Sequence, residues 1–152
     1  LAVLNAYFER MAGAVLAHGG EVLKFIGDGI LAIFRAEEDG EKTCAGALKA
    51  SREGLARVAA RTDQPHFEVG IALHFGEVAF GNVGSGMRLD YTVIGRDVNL
   101  AARVAGLCGA RDEPLLVSSE FRRRAGLDAR SLGAQSLKGL QAREEVFAVP
   151  LG

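Results

Sequence analysis

A Gly-Asp-Gly sequence at residues 27–29, with a short apolar run on each side, constrains the fold of this chain more than any other feature. The runs at 21–26 and 30–34 have the length of strands, and Asp-Gly accepts the backbone angles of a tight turn, so the segment predicts a β-hairpin. Its tip would hold the Asp28 carboxylate away from the sheet, with glycines leaving room for a bulky polyanion. Asp-Gly is also simply a good turn, so this dipeptide does not establish a site.

Apolar spacing predicts three helices, a second hairpin and a C-terminal group of short elements around this feature. In chain order they are a helix from residue 1 that ends at 18–20, the first hairpin, a helix at 37–61, a hairpin at 67–83 that pivots near Gly76, a strand at 89–94, a helix at 95–107, a strand at 115–118, a helical turn at 119–124 and strands near 131–137 and 144–149. This order predicts an α+β fold, an α/β sandwich with helices on a mainly antiparallel sheet.

Length, charge and cysteine content narrow the class of protein. The 152 residues predict one domain, 1–152, and the net charge of −1 excludes a general affinity for nucleic acid or anionic membrane. The longest apolar stretch is strand-sized, so the segment predicts no membrane contact of its own. Cys44 and Cys108 fit neither a zinc spacing nor a disulfide framework, which predicts reduced thiols in a cytoplasmic protein or in the cytoplasmic domain of a larger one.

Lys24 and Asp28 are the first candidate pair. Strand alternation predicts that both lie on one face of the hairpin. The lysine could donate to a base or a phosphate, and the carboxylate oxygens suit Mg²⁺ or Mn²⁺. A lysine on an edge strand more often discourages aggregation, so the spacing alone leaves both interpretations open.

Asn99 and Arg103 form a second candidate pair, because residues four apart on a helix are neighbours on one face. An amide and a guanidinium side by side can bind a ribose oxygen and a phosphate oxygen, although a solvated helix face has the same composition. Thr92, just before this helix, has a hydroxyl that donates and accepts, but threonine is also an ordinary strand residue. Apolar or small neighbours predict that the helix face is not open surface, with an inner side at Val98, Ala101, Ala102 and Ala105.

Taken together, residues 20–34, 70–76 and 90–103 resemble the metal hairpin, the following strand and turn, and the transition-state segment of class III adenylyl and guanylyl cyclases. The resemblance runs through essentially the whole chain in order. It implies a ferredoxin-like or palm-like core whose first strand precedes the first helix, and that strand is absent from these residues, as in an N-terminally truncated domain.

The resemblance implies a role for each candidate. Asp28 matches the second of the family's two metal-binding aspartates, and Lys24 matches the residue that recognises the purine, where lysine accompanies adenine. Thr92 falls at the partner purine-reading position, and threonine there resembles the subgroup often described as bicarbonate-responsive. Asn99 matches the asparagine that orients the ribose, and Arg103 the arginine that stabilises the α-phosphate.

The implied reaction converts ATP to 3′,5′-cyclic AMP and pyrophosphate, by attack of the ribose 3′-oxygen on the α-phosphate with two Mg²⁺ or Mn²⁺ ions per site. The implied assembly is a head-to-tail homodimer, in which Asp28 of one subunit works with the other four residues of its partner. Lys138 lies near where the family has basic residues for the triphosphate, without a secure alignment. One metal aspartate belongs to the absent strand, so we expect the longer protein to be active and this chain alone to be weak or inactive.

Two other interpretations compete with that of an adenylyl cyclase. A non-catalytic cyclase-like module could serve dimerisation or nucleotide sensing in a larger regulator, although retention of all five candidate residues argues against a decayed site. A diguanylate cyclase would carry a Gly-Gly-Asp/Glu-Glu-Phe hairpin, which residues 25–30 do not match. His18, His66 and His74 are scattered, and none is assigned to metal or acid–base work.

Overall fold

The computed structural model describes residues 2–26, 28–36, 40–60, 68–83 and 90–152, with the side chains of 2, 3, 79–83 and 90–94 outside that description. In chain order its elements are α1 (Ala2–Ala17), β1 (Glu21–Ile26), β2 (Gly29–Ile33), α2 (Gly40–Ala59), β3 (Ile71–Leu73), β4 (Ala79–Val83), β5 (Asp90–Ile94), α3 (Arg96–Ala105), α4 (Leu107–Arg111), β6 (Leu115–Ser118), α5 (Ser119–Ala125), β7 (Arg130–Gln135) and β8 (Glu144–Ala148). Helices and antiparallel-rich sheets confirm the predicted α+β class.

A four-stranded sheet with the order β3-β6-β8-β7 forms the centre of the fold. β3 is parallel to β6, and the other two pairings are antiparallel. All four residues of β6 are buried. A strand covered on both faces reads as a continuous apolar run, which explains the sequence Leu-Leu-Val at 115–117.

Helices cover the two faces of this sheet. Leu115 and Val117 point to the face where α2 and α5 pack, and Leu116 points to the opposite face, beneath α3 and α4. On that second face Leu100 and Val104 are each 1% exposed. Full burial of one such side chain contributes about 1.5–3 kcal/mol, so these contacts fix α3 to the sheet.

The predicted first hairpin is confirmed. β1 and β2 pair antiparallel, with Ile26 opposite Gly29 and a register shift between Val22 and Lys24. The hairpin packs on α1, where the rings of Phe8 and Phe25 lie 4.6 Å apart. In the described part of the chain it forms a sheet of its own, separate from the central one.

The predicted second hairpin is wrong. Among the described strands β3 pairs with β6, and β4 pairs with β5 instead of β3. Gly76 is not needed as a hairpin pivot; a Cβ built there would lie 2.4 Å from Cγ of Asp97, so glycine makes room for that carboxylate. Gly76 therefore marks a close approach between the backbone after β3 and the side chain of Asp97, and not a hairpin turn.

The predicted inner side of α3 is also wrong. The buried residues are Leu100 and Val104, while Ala102 is exposed and Val98, Ala101 and Ala105 are half-buried. The helix places Leu100, its largest apolar side chain, and Val104 against the sheet, which buries more apolar surface than a face of alanines would. The four-residue step from Leu100 to Val104 sets the orientation of the whole helix.

Cys44 and Cys108 are free and buried. Burial is the main cause that raises the pKa of each thiol to about 11. Both thiols are therefore protonated at neutral pH and behave as small apolar side chains. Within the described residues, no helix is long and apolar enough to cross a bilayer.

Candidate active site

The hairpin holds its two candidate residues in solvent. Asp28 is exposed at the turn between β1 and β2, and Lys24 is exposed on β1 opposite Leu31. Phe25 and Ile26 lie between them and are 57% and 52% exposed. The tip therefore presents a cation, a carboxylate and two large apolar side chains together on the surface of the single chain.

Tyr7 of α1 is a neighbour of this tip that the sequence did not single out. Burial raises the pKa of its phenol, and the nearby Asp28 carboxylate raises it further. The phenol therefore keeps its proton at neutral pH and can donate a hydrogen bond. Tyr7 sits beside Phe8 in an ordinary apolar helix, so no local pattern marks it.

α3 holds the second pair, Asn99 and Arg103, one helical turn apart and exposed. This corrects the expectation that their face is not open surface. The reason is that Leu100 and Val104 turn the opposite face of α3 toward the sheet. In the part of the chain that the structure describes, neither polar side chain forms a hydrogen bond or an ion pair, so both are available to a ligand.

A sharp turn at Gly95 connects β5 to α3. Gly95 has a φ of 139°, a backbone conformation that residues with a side chain rarely adopt. Its carbonyl accepts the first helical hydrogen bond, from the Asn99 N–H at 3.4 Å. Thr92 lies on β5 opposite Gly81, but its side chain is outside the described residues. Its purine-reading role stays a prediction.

Lys138 is exposed in the loop between β7 and β8. The Leu140 N–H donates to the Leu137 carbonyl at 3.1 Å and closes a turn around it, with Gly139 at a φ of 84°. No described contact links Lys138 to the hairpin or to α3, and its role also stays a prediction.

Two pairs on two elements thus make up the candidate site, Lys24 with Asp28 and Asn99 with Arg103. Among the described residues no hydrogen bond or ion pair joins one pair to the other. No group of three His, Cys, Asp or Glu side chains there is arranged to hold a metal ion. A single exposed carboxylate still fits Mg²⁺, which takes one or two protein carboxylates and completes its shell with phosphate and water.

A further cluster lies beneath the start of α3. Asp97 and His74, which directly follows β3, are joined by a hydrogen bond of 2.6 Å. A second bond of 2.6 Å joins His74 to Ser118 at the end of β6. The sequence assigned His74 no role, because its partners are distant in the chain.

Comparisons with known proteins identify the family and the fold of the chain. Residues 1–148 match the family described as "Adenylate and Guanylate cyclase catalytic domain". An adenylate cyclase of Anabaena cylindrica is 38% identical over 112 residues, which is 68% of this chain and 22% of that protein.

Two solved structures share the fold. A bacterial light-regulated adenylyl cyclase superposes with a TM-score of 0.81 at 28% identity, over 99% of this chain and 44% of that chain. The guanylyl cyclase Cya2 superposes with a TM-score of 0.73 at 32% identity, over 97% of this chain and 78% of that chain. The chain spans about a fifth of the length of the curated relatives it matches, 22% for the first of them. It belongs to the family of adenylate and guanylate cyclase catalytic domains.

Proposed function

We propose that this cyclase domain converts ATP into 3′,5′-cyclic AMP and pyrophosphate. The observation that carries the choice of ATP is Lys24, which stands exposed on the strand that leads to Asp28. Its ammonium group only donates hydrogen bonds. Adenine has an accepting lone pair at ring N1, whereas guanine has an N–H there, so a lysine suits adenine and an acidic residue suits guanine.

Asn99 and Arg103 support the reaction at the other end of the nucleotide. Both side chains point away from the sheet and have no partner among the described residues. The Asn99 amide would hold the ribose so that its 3′-oxygen faces the α-phosphorus. The Arg103 guanidinium would balance the charge that develops on the α-phosphate as the new P–O bond forms and the bond to pyrophosphate breaks.

Asp28 would hold a divalent cation, as domains of this family generally use Mg²⁺ or Mn²⁺. Such an ion, when bound, lowers the cost of removing the 3′-hydroxyl proton and neutralises the triphosphate. The chain's own contribution is to place one carboxylate at the exposed tip of the hairpin, beside the half-buried Tyr7. A second carboxylate ligand would complete the site.

A head-to-tail dimer would bring the two pairs together. Cyclase domains of this family generally act as dimers. The exposed Phe25 and Ile26 beside Asp28 support this proposal, because a partner subunit could cover them. Two equivalent sites would then form, each with Asp28 from one subunit and Arg103 from the other.

Subunit complementation in the longest natural protein that contains this chain tests the reaction and the dimer together. Asp28→Ala and Arg103→Ala should each abolish most cyclic AMP formation from Mn²⁺-ATP. Mixed after subunit exchange, half of the dimers are heterodimers and each has one intact site, so about a quarter of wild-type activity should return.

Three results separate the possibilities. Failure of the mixture to regain activity would contradict shared sites. Preferred turnover of GTP by the wild type would contradict the choice of ATP. Tight ATP binding by the wild type without turnover would favour the non-catalytic, nucleotide-sensing module.

A further inference from the structure

A hydrogen-bond relay ties the first turn of α3 to the central sheet. His74 lies between Ser118 and Asp97, with Nδ1 2.6 Å from the serine Oγ and Nε2 2.6 Å from the aspartate Oδ1. The His74 side chain is 8% exposed and Ser118 is 1% exposed. Three segments far apart in the sequence therefore meet through one buried imidazole.

Two backbone N–H groups complete the hydrogen bonds of this relay. The Phe121 N–H donates to Ser118 Oγ at 3.2 Å, and the Glu77 N–H donates to Asp97 Oδ2 at 3.1 Å. The serine hydroxyl is then free to donate to Nδ1 of His74, and Nε2–H donates to the Asp97 carboxylate. With these bonds every polar group of the relay has a partner, as buried polar groups require.

The relay has the Asp–His–Ser order of a nucleophilic triad but not its exposure. Ser118 Oγ already accepts the Phe121 N–H and caps α5, and the residue is buried. A nucleophile must reach a substrate carbonyl, which this oxygen cannot do. The three side chains therefore attach the start of α3 to the sheet and do not act as a nucleophilic triad.

The backbone after β3 is shaped around the Asp97 carboxylate. A Cβ built on Gly76 would lie 2.4 Å from Asp97 Cγ, so any side chain there would displace the carboxylate. The other described polar tether at this end of α3 is an ion pair of 3.3 Å between Arg96, whose side chain is 56% exposed, and Glu144. Exposed ion pairs contribute little, so the buried relay is the stronger of the two.

We propose that His74 and Asp97 are positioning residues for nucleotide cyclisation, which rests on the proposed function of Asn99 and Arg103. Asp97 lies in the first turn of α3, two residues before Asn99 and six before Arg103. The relay fixes the height and rotation of this turn relative to the sheet. A displacement of about 1 Å in a positioning group can lower turnover roughly a hundredfold.

The test compares His74→Ala, Asp97→Ala and the double variant in the longest natural protein, with Arg96→Ala as the matched control at the same helix end. Each single variant should lower kcat by about tenfold to a hundredfold and leave the Kd for ATP within about twofold. The kcat of the double variant should be no lower than that of the less active single variant, because either change breaks the same hydrogen-bonded unit. Arg96→Ala should change kcat by less than about twofold.

Hydrogen exchange supplies a second measurement that does not depend on activity. In the single variants, exchange should accelerate at amides 98–103 and stay unchanged in β6 and α5. Asp97→Asn, which is nearly the same size and keeps one accepting oxygen, should restore part of kcat. It also replaces Asp97→Ala if that variant does not fold.

Several outcomes would overturn the proposal: unchanged kcat in both single variants, effects that multiply in the double variant, or faster exchange throughout the sheet. If the wild type cyclises no nucleotide, the proposed function fails and the exchange data alone decide. Acceleration confined to α3 would then support only the attachment of this helix by the relay, and unchanged exchange would overturn that as well.

Discussion

The hairpin of β1 and β2 and the helix α3 each carry two of the assigned residues, but they are held in different ways. α3 is fixed by Leu100 and Val104, each 1% exposed, and by the relay beneath its first turn. The hairpin tip leaves Phe25 57% exposed and Ile26 52% exposed. One half of the candidate site is thus set by the chain's own core, and the other half lies exposed on the described part of the chain.

The largest expected effect concerns chemistry on the well-held element. Arg103→Ala should lower kcat for ATP cyclisation by about a hundredfold to a thousandfold, with the Kd for ATP within about twofold, because the charge it balances develops only in the transition state. Folding should be unaffected, since Arg103 is exposed and has no partner among the described residues. Initial rates at saturating Mn²⁺-ATP, nucleotide titration and thermal melting measure the three quantities.

Arg123→Ala is the control for this change. Arg123 is also exposed and pairs with Glu120 on α5 at 2.6 Å, so its loss should leave kcat unchanged. A loss of ATP affinity in Arg103→Ala as large as the loss of kcat would mean that Arg103 binds the ground state.

The second prediction concerns how firmly α3 is seated. Leu100→Ala should lower the free energy of unfolding by about 3 kcal/mol, because it leaves a cavity between the helix and the sheet. Leu16→Ala on α1 removes the same atoms from a side chain that is 64% exposed, and should change that free energy by less than about 0.5 kcal/mol. Urea unfolding compares them, and equal losses would break the contrast between core-held and exposed positions.

The third prediction moves to the hairpin and the base. Lys24→Glu combined with Thr92→Cys should shift the ratio of kcat/KM for ATP over GTP toward GTP by about tenfold to a hundredfold, because an acceptor replaces a donor at the purine edge. Parallel assays of cyclic AMP and cyclic GMP measure the ratio. Glu21→Gln on the same strand, where Glu21 pairs with Arg35 at 3.3 Å, should leave the ratio unchanged. Unaltered preference in the double variant would dissociate these positions from base recognition.

Local signals predicted the hairpin, α2, β6 and α5, because Gly-Asp-Gly and apolar periodicity act over a few residues. They did not predict that β3 pairs with β6, or that His74 meets Ser118, which is 44 residues away. The outward direction of Asn99 was also missed, since it follows from where Leu100 packs. The candidate residues came from the sequence and their roles stay predictions, whereas their structural support depends on tertiary contacts that no local pattern encodes.

The smallest expected effect on folding tests whether a partner subunit covers the hairpin tip. Phe25→Ser should lower the free energy of unfolding by less than about 1 kcal/mol, because the ring is half-exposed and its described aromatic contact is with Phe8. The same change should weaken dimerisation of the longest natural protein that contains this chain by about tenfold, measured by sedimentation, since a covered aromatic is a strong interface contact. Leu151→Ser, at a C-terminal position that is 49% exposed, is the control and should leave the dimer intact. An unchanged dimer in Phe25→Ser would mean that no partner subunit covers this tip. The hairpin and α3 would then differ in exposure but not in their part in dimerisation.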